Sequence, residues 1–140
     1  MSRLHVIAPD LADAIAEASA PRQLQLTAVA CRFAVTAAAV DQRVALSALA
    51  ALEAGGRPSD DELVALRGLR DTLDDEYFDL QERGDSRELA VFSQARAVAA
   101  IDAAFAANSS SDCSEAVYEA SNAVDDAAVL FTRVRAELRL

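Results

Sequence analysis

Acidic side chains are concentrated in one short segment near the middle of the chain. Six carboxylates occur there, at Asp71, Asp74, Asp75, Glu76, Asp79 and Glu82. Asp71, Asp75, Asp79 and Glu82 follow one another at steps of four, four and three residues, which places them on one face of a helix. Such a face can simply be solvated, or it can bind a basic protein. It can also supply ligands to Mg²⁺ if carboxylates from other helices lie close to it.

A second group of carboxylates, Glu115, Glu119, Asp125 and Asp126, lies on the last predicted helix. Carboxylate pairs on two helices of a small bundle resemble those of the all-α nucleotide pyrophosphohydrolases, and that resemblance implies a Mg²⁺-dependent enzyme. The E-x-x-E and E-x-x-D pairs of those enzymes are replaced here by E-x-x-x-E and D-x-x-x-D spacings, and the chain has no Lys to contact a phosphate. The enzyme is therefore the alternative interpretation.

The remaining reactive side chains form no recognisable catalytic group. His5 is the only histidine and falls in an N-terminal segment predicted to be loose, so no Ser–His or Cys–His pair is predicted. Cys31 is predicted to be a small core residue, and Cys113 to lie packed or exposed in the first turn of a helix. We predict a protein that is not an enzyme and that has no catalytic residue, no metal site and no cofactor.

Aromatic and basic residues near the two acidic groups are predicted to have structural roles. The aromatic residues Tyr77, Phe78 and Tyr118 are predicted to lie in the core or at its edge. Arg67 and Arg70 each precede an aspartate by four residues, so they are predicted to neutralise part of the acidic face.

Asp102 is the one acidic residue predicted to be buried. It lies between Val98 and Phe105 on an apolar helical face. A buried charge is costly unless it is paired, so we predict a salt bridge with Arg32 or Arg43.

Composition and charge narrow the class of protein. The net charge is −10, and every basic residue except the single histidine is an arginine. Nucleic acid and anionic membranes would repel such a chain, so the expected partner is a basic protein. The segment 1–10 has no signal-peptide pattern, and the apolar run 26–40 is too short to span a membrane, so the expected location is the bacterial cytoplasm.

Hydrophobic periodicity predicts an all-α fold. Apolar residues, many of them alanine, make up 53% of the chain, while four Gly and three Pro are too few for a β-sandwich. We predict one domain, 1–140, that forms a compact antiparallel bundle of five or six helices. The helices are expected at about 10–19, 21–40, 42–54, 60–83, 86–107 and 112–139. The count depends on whether Asp41 interrupts the second helix, and we predict that it does.

Capping patterns mark several of these boundaries. Asp10 is predicted to cap the first helix, and Ser59 with Glu62 forms a capping box. The same spacing recurs at 85–88 and at 112–115, the latter after a polar loop at 108–111. Gly84 is predicted to end the helix that carries the acidic segment.

Two helices have distinctive apolar patterns. The helix 21–40 is apolar nearly all round, so it is predicted to be central and buried. The last helix is predicted to carry one long seam, because apolar residues seven apart occur at Val117, Val124, Phe131 and Leu138.

Three short segments together resemble a group of alanine-rich bacterial immunity-type proteins: 30–34 (ACRFA), 41–46 (DQRVAL) and 53–55 (EAG). The segment 116–126 (AVYEASNAVDD) falls where later alanine-rich helices of that group occur, so the resemblance covers about 28–128. Val44 and Ala45 stand where the group has a proline and a second basic residue. The resemblance implies a protein that binds and inhibits a cognate toxin, commonly a basic nuclease.

These observations together favour a non-enzymatic binding protein, most concretely an immunity-like inhibitor of a basic toxin. The residues predicted to contact the partner are Asp71, Asp74, Asp75 and Asp79, followed by Glu115 and Glu119. The alternatives are the Mg²⁺-dependent pyrophosphohydrolase-like enzyme and a structural or regulatory module that forms homo-oligomers through its alanine-rich faces.

Overall fold

The computed structural model describes residues 2–106 and 110–139, and all regular secondary structure in these ranges is helical. The prediction of an all-α fold is thus confirmed. The described residues form eight helices rather than five or six: α1 (Arg3–Ile7), α2 (Pro9–Glu17), α3 (Ala20–Ala37), α4 (Arg43–Glu53), α5 (Asp60–Glu82), α6 (Glu88–Ala106), α7 (Ser110–Asn122) and α8 (Ala127–Leu138).

The first extra helix is α1, in the segment predicted to be loose. The side chain of Ser2 accepts a hydrogen bond from the backbone N–H of His5 and so caps the helix. Leu4 is fully buried and anchors it. His5 lies 3.3 Å from Asp13 of α2. A loose terminus was the wrong prediction because one buried leucine and one cap are enough to order so short a segment when α2 and α7 lie beside it.

The second extra helix comes from a break in the predicted last helix. Helix α7 ends at Asn122, and Asp126 caps α8 by accepting a hydrogen bond from the backbone N–H of Ala128. The seam residues Val117, Val124, Phe131 and Leu138 all belong to the core or pack against it. The seam is therefore divided between α7, the segment that carries Val124, and α8. Its periodicity predicts burial correctly, but the prediction of one continuous helix is wrong.

The N-terminal end of α7 differs from the prediction as well. The helix begins at Ser110, two residues before the predicted start. Residues 108 and 109 of the predicted polar loop, and the side chain of the predicted cap Asp112, lie outside the described residues.

The predicted interruption at Asp41 is confirmed, because Asp41 lies between the end of α3 and the start of α4. Helix α3 ends with Ala39 in the left-handed region, at φ 55, and the N–H of Val40 donates to the carbonyl of Val35 over 3.1 Å. Val40 is 5% exposed. This is a Schellman ending, in which the residue after the left-handed position packs back on the helix. Gln42 occupies the N-cap position of α4 without a side-chain cap.

Helix α5 begins and ends as predicted. Ser59 and Glu62 form the capping box, with each side chain bonded to the other residue's backbone N–H. Gly84 adopts φ 64, and the N–H of Asp85 donates to the carbonyl of Leu80 over 2.9 Å. The left-handed position thus falls on glycine, where it costs little.

Helix α6 begins at Glu88, because Asp85 does not form the predicted capping box. Arg87 donates to the Asp85 carboxylate from its side chain and its backbone N–H. These hydrogen bonds lower the pKa of Asp85 to about 2.

The most buried helix is α6 rather than the helix predicted at 21–40, although α3 also packs against four helices, α4, α6, α7 and α8. Ten residues of α6 are buried, on all sides of the helix, and it packs against α3, α4, α5 and α7. Its length and apolar composition would also allow a membrane span, but 56% of that window is buried within the protein, as in the core helix of a bundle. On α3, by contrast, Leu24 is 42% exposed and Phe33 is half-buried. Small alanines on α6 let four neighbouring helices approach it. Because α6 is apolar on all sides, its sequence has only a weak hydrophobic periodicity, which did not indicate these contacts.

Candidate functional site

Most of the acidic segment lies on the solvent side of α5, opposite its leucines; Asp74 instead faces α6. Leu63, Leu66, Leu73 and Leu80 are buried against the rest of the protein. The opposite side is exposed, and we call it the outer face of α5; it consists of Val64, Asp71, Asp75, Phe78, Asp79 and Glu82. The predicted shared face of Asp71, Asp75 and Asp79 is therefore present and accessible to a partner.

Two large apolar side chains share this face: Phe78 lies among the carboxylates, and Val64 lies about two turns before Asp71. Val64 is 65% exposed and Phe78 is 57% exposed. The prediction that Phe78 belongs to the core or its edge is wrong, whereas Tyr77 and Tyr118 do pack against the core. The Phe78 ring lies 5.3 Å from the ring of Tyr77, which supports it from one side. The signal was present in the sequence, because Phe78 lies three residues after Asp75 and off the leucine stripe.

The carboxylates of the outer face have few cationic neighbours. Asp71 lies 3.4 Å from Arg70, with its side chain 69% exposed. Within the described ranges, Asp75, Asp79 and Glu82 take part in no ion pair. Such a concentration of uncompensated charge raises the local attraction for cationic groups of a partner.

The other predicted partner-binding residues belong to an internal ion-pair network. Arg96 of α6 donates to Asp74 of α5 over 2.8 Å and to Glu119 of α7 over 2.9 Å. Glu119 also accepts from Arg3 over 2.6 Å, and Arg3 contacts Glu115 as well. Asp74, Glu115 and Glu119 are therefore brought together in contact with arginines of the chain itself, in a cleft that Asp71 at the edge of the outer face also lines.

Asp102 is buried and paired, as predicted, but the partner residues are different. Its two oxygens accept from Arg67 and Arg70 of α5, each over 3.0 Å. Arg32 is bonded to Glu53 instead, with Nε 3.0 Å from Oε2, which lowers the pKa of Glu53. Asp102 faces α5 because α5 packs along α6, a neighbour relation that no local pattern contains.

A polar cleft of about 400 Å³ lies between α5, α6 and α7. Carboxylates from all three helices line it, together with Arg70 and Arg96. Within the part of the chain that the structure describes, no group of three or more His, Cys, Asp or Glu side chains could hold a metal ion. The cleft is a place where carboxylates bind guanidinium groups.

A separate groove of about 950 Å³ follows the outward side of α3. Leu24, Val29 and Phe33 contribute apolar surface, and the C-terminal end of α4 and part of α8 form its sides. The charged residues along it are already paired, Arg32 with Glu53 and Arg133 with Glu137. The groove is thus formed by the apolar residues of α3 that face away from the core.

Comparison with known proteins yields no match to any protein-family model, curated protein or solved structure. The resemblance to immunity-type proteins therefore stays a prediction from the sequence. The proposed function is therefore based on the residues exposed at the surface of the protein.

Proposed function

We propose that this protein is a non-enzymatic binding protein that contacts a basic protein through the outer face of α5. The observation that carries this proposal is the exposed ring of Phe78 among Asp71, Asp75 and Asp79. An exposed aromatic ring offers a partner apolar area to bury, which the carboxylates alone do not. Protein interfaces combine such aromatic anchors with complementary charge around them.

The two kinds of side chain would contribute differently to binding. The carboxylates attract Arg and Lys of the partner and accelerate the encounter, an effect that salt screens. Phe78 and Val64 supply apolar area that leaves water on binding, which salt does not weaken. A face with both properties suits a partner that presents a basic surface with an apolar centre.

An immunity-like inhibitor of a basic toxin is the specific form of this proposal. It is supported by the net charge of −10 and by the sequence resemblance described above. An acidic face can compete with nucleic acid for the basic surface of a nuclease, because both are polyanionic. This form places the protein in the bacterial cytoplasm with its toxin.

The enzyme alternative has one observation in its favour. Carboxylates from α5, α6 and α7 line the same cleft, as a Mg²⁺ site requires. Arg96 lies between Asp74 and Glu119, however, and pairs with one oxygen of each. The groove along α3 would serve the oligomerising alternative, since an apolar helix side is a natural contact between copies.

Affinity capture with matched charge variants tests the proposal. The bait is the purified protein in three forms: wild type, the triple variant Asp71→Lys, Asp75→Lys, Asp79→Lys, and the control Asp10→Lys, Glu17→Lys, Asp41→Lys. The control changes three exposed carboxylates outside α5 by the same total charge. We expect wild type and control to retain the same basic protein from cell lysate at low salt, and the α5 variant to lose it.

A fourth bait, Phe78→Ala, separates apolar from electrostatic binding. We expect it to weaken capture at both low and high salt, because it removes apolar area and no charge. Equal capture by the α5 variant and the control would contradict the proposed surface. Nucleotide hydrolysis that requires Mg²⁺ would favour the enzyme, and a wild-type dimer in solution would favour the oligomerising module.

A further inference from the structure

Arg3 occupies a well-formed guanidinium site on α7. Its Nη2 atom donates to Oε1 of Glu119 over 2.6 Å and also contacts Glu115. Its guanidinium carbon lies 4.4 Å from the centre of the Tyr118 ring. Two carboxylates and an aromatic face are the combination that recognises a planar cation by hydrogen bonds and by cation–π attraction.

The Glu119 carboxylate of this site is held in place without Arg3. Glu119 is only 8% exposed, and its other oxygen, Oε2, accepts from Arg96 over 2.9 Å. Arg96 is in turn held by Asp74 of α5 over 2.8 Å. The internal ion-pair network therefore orients the Glu119 carboxylate, and its Oε1 atom remains available to bind a cation. Removing Arg3 would leave this acceptor unsatisfied in a largely buried position, which is unfavourable.

The arginine now in the site belongs to a weakly attached element. Helix α1 has five residues, and it packs mainly on α2 and α7. Leu4 is its buried anchor, whereas Val6 and Ile7 are 74% and 52% exposed. The side chain of Arg3 is 56% exposed, so a competing cation can reach the site from solvent.

We propose that Glu115, Tyr118 and Glu119 form a receptor for an arginine side chain, which Arg3 fills in the free protein and which an arginine of another polypeptide can fill instead. The docked guanidinium shows that the site accepts this group. The inference concerns α7 and does not rest on the proposed binding through the outer face of α5.

Binding of an arginine analogue tests the receptor directly. The probe is N-acetyl-arginine methylamide, titrated into the protein while the backbone amides of Glu115 and Glu119 and the ring of Tyr118 are followed by NMR. If Arg3 fills the site nine-tenths of the time or more, Arg3→Ala should bind the probe at least about ten-fold more tightly than wild type, because an occupied fraction lowers apparent affinity in proportion.

Three comparisons make the result specific. Arg43→Ala removes an exposed arginine outside the described ion pairs and should bind the probe like wild type. The lysine analogue should bind Arg3→Ala at least about three-fold more weakly than the arginine analogue, because an ammonium lacks the planar fork. Adding Tyr118→Leu to Arg3→Ala should weaken binding again. Circular dichroism checks the fold, and Arg3→Gln replaces Arg3→Ala if the shorter side chain unfolds the protein.

The proposal is overturned if the arginine analogue binds Arg3→Ala no better than wild type. It is also overturned if the arginine and lysine analogues bind equally well, which would reveal attraction to negative charge alone. Shifts confined to residues outside 115–119 would place the bound cation elsewhere and overturn it too.

Discussion

Asp102 carries a charge into the contact between α5 and α6, where it is 8% exposed. We expect Asp102→Asn to lower the free energy of unfolding by about 1–3 kcal/mol, since it removes charge from two 3.0 Å hydrogen bonds, to Arg67 and Arg70. The arginines are partly exposed and can regain water, which limits the loss. Urea unfolding measures the effect. Asp71→Asn is the control and should change stability by less than about 0.5 kcal/mol, because that pair is exposed; equal losses would contradict the assignment.

Cys31 is a second residue whose chemistry follows from its surroundings. It is fully buried, and burial raises the pKa of its thiol to about 12, with a smaller contribution from the nearby charge of Glu53. The thiol therefore stays neutral at a pH well above its ordinary titration range. Burial of the neutral thiol contributes fully to the stability of the folded protein below pH 9.0, and this contribution is lost as the pH rises from 9.0 to about 12. We expect Cys31 to resist iodoacetamide in the native protein at about pH 8 and to react in urea, as read by peptide mass spectrometry. Rapid labelling of the native protein would show that Cys31 is accessible.

At the scale of the element, α3 and α5 end in the same way with different residues. Both place a left-handed residue after the helix, Ala39 at φ 55 and Gly84 at φ 64. A side chain at this position costs about 1 kcal/mol relative to glycine. We therefore expect Ala39→Gly to stabilise the protein and Gly84→Ala to destabilise it by similar amounts, measured by thermal unfolding. A change of the same sign in both variants would contradict this account.

At the scale of the whole molecule, the net charge of −10 on 140 residues lowers the stability of the folded protein. Like charges destabilise the compact state, and salt screens exposed charges more than the partly buried network. We expect Tm to rise by roughly 4 °C between low and moderate NaCl, which corresponds to about 1 kcal/mol for a domain of this size. The variant Asp71→Asn, Asp75→Asn, Asp79→Asn should have a higher Tm at low salt and a smaller salt response. A Tm that falls with salt would show that ion pairs outweigh the repulsion.

Local patterns alone determined a good part of this protein. The all-α class, the capping box at Ser59, the glycine ending at Gly84 and the exposure of Asp71, Asp75 and Asp79 all follow from interactions within a few residues along the chain. Their physical origin is helix periodicity and the hydrogen bonds of helix ends, which operate before any tertiary contact is made. The prediction for Phe78 was wrong, although the same helix periodicity places Phe78 on the exposed side of α5.

Only the tertiary structure decided which elements are neighbours. The sequence indicated that Asp102 needs a cation, but the packing of α5 along α6 selected Arg67 and Arg70 over Arg32 and Arg43. The packing of α7 against α6 and α1 brings Arg96 and Arg3 to the same carboxylate, Glu119. Arg3 and Glu119 are 116 residues apart along the chain. Their contact depends on how the helices between them pack, and no spacing in the sequence encodes that.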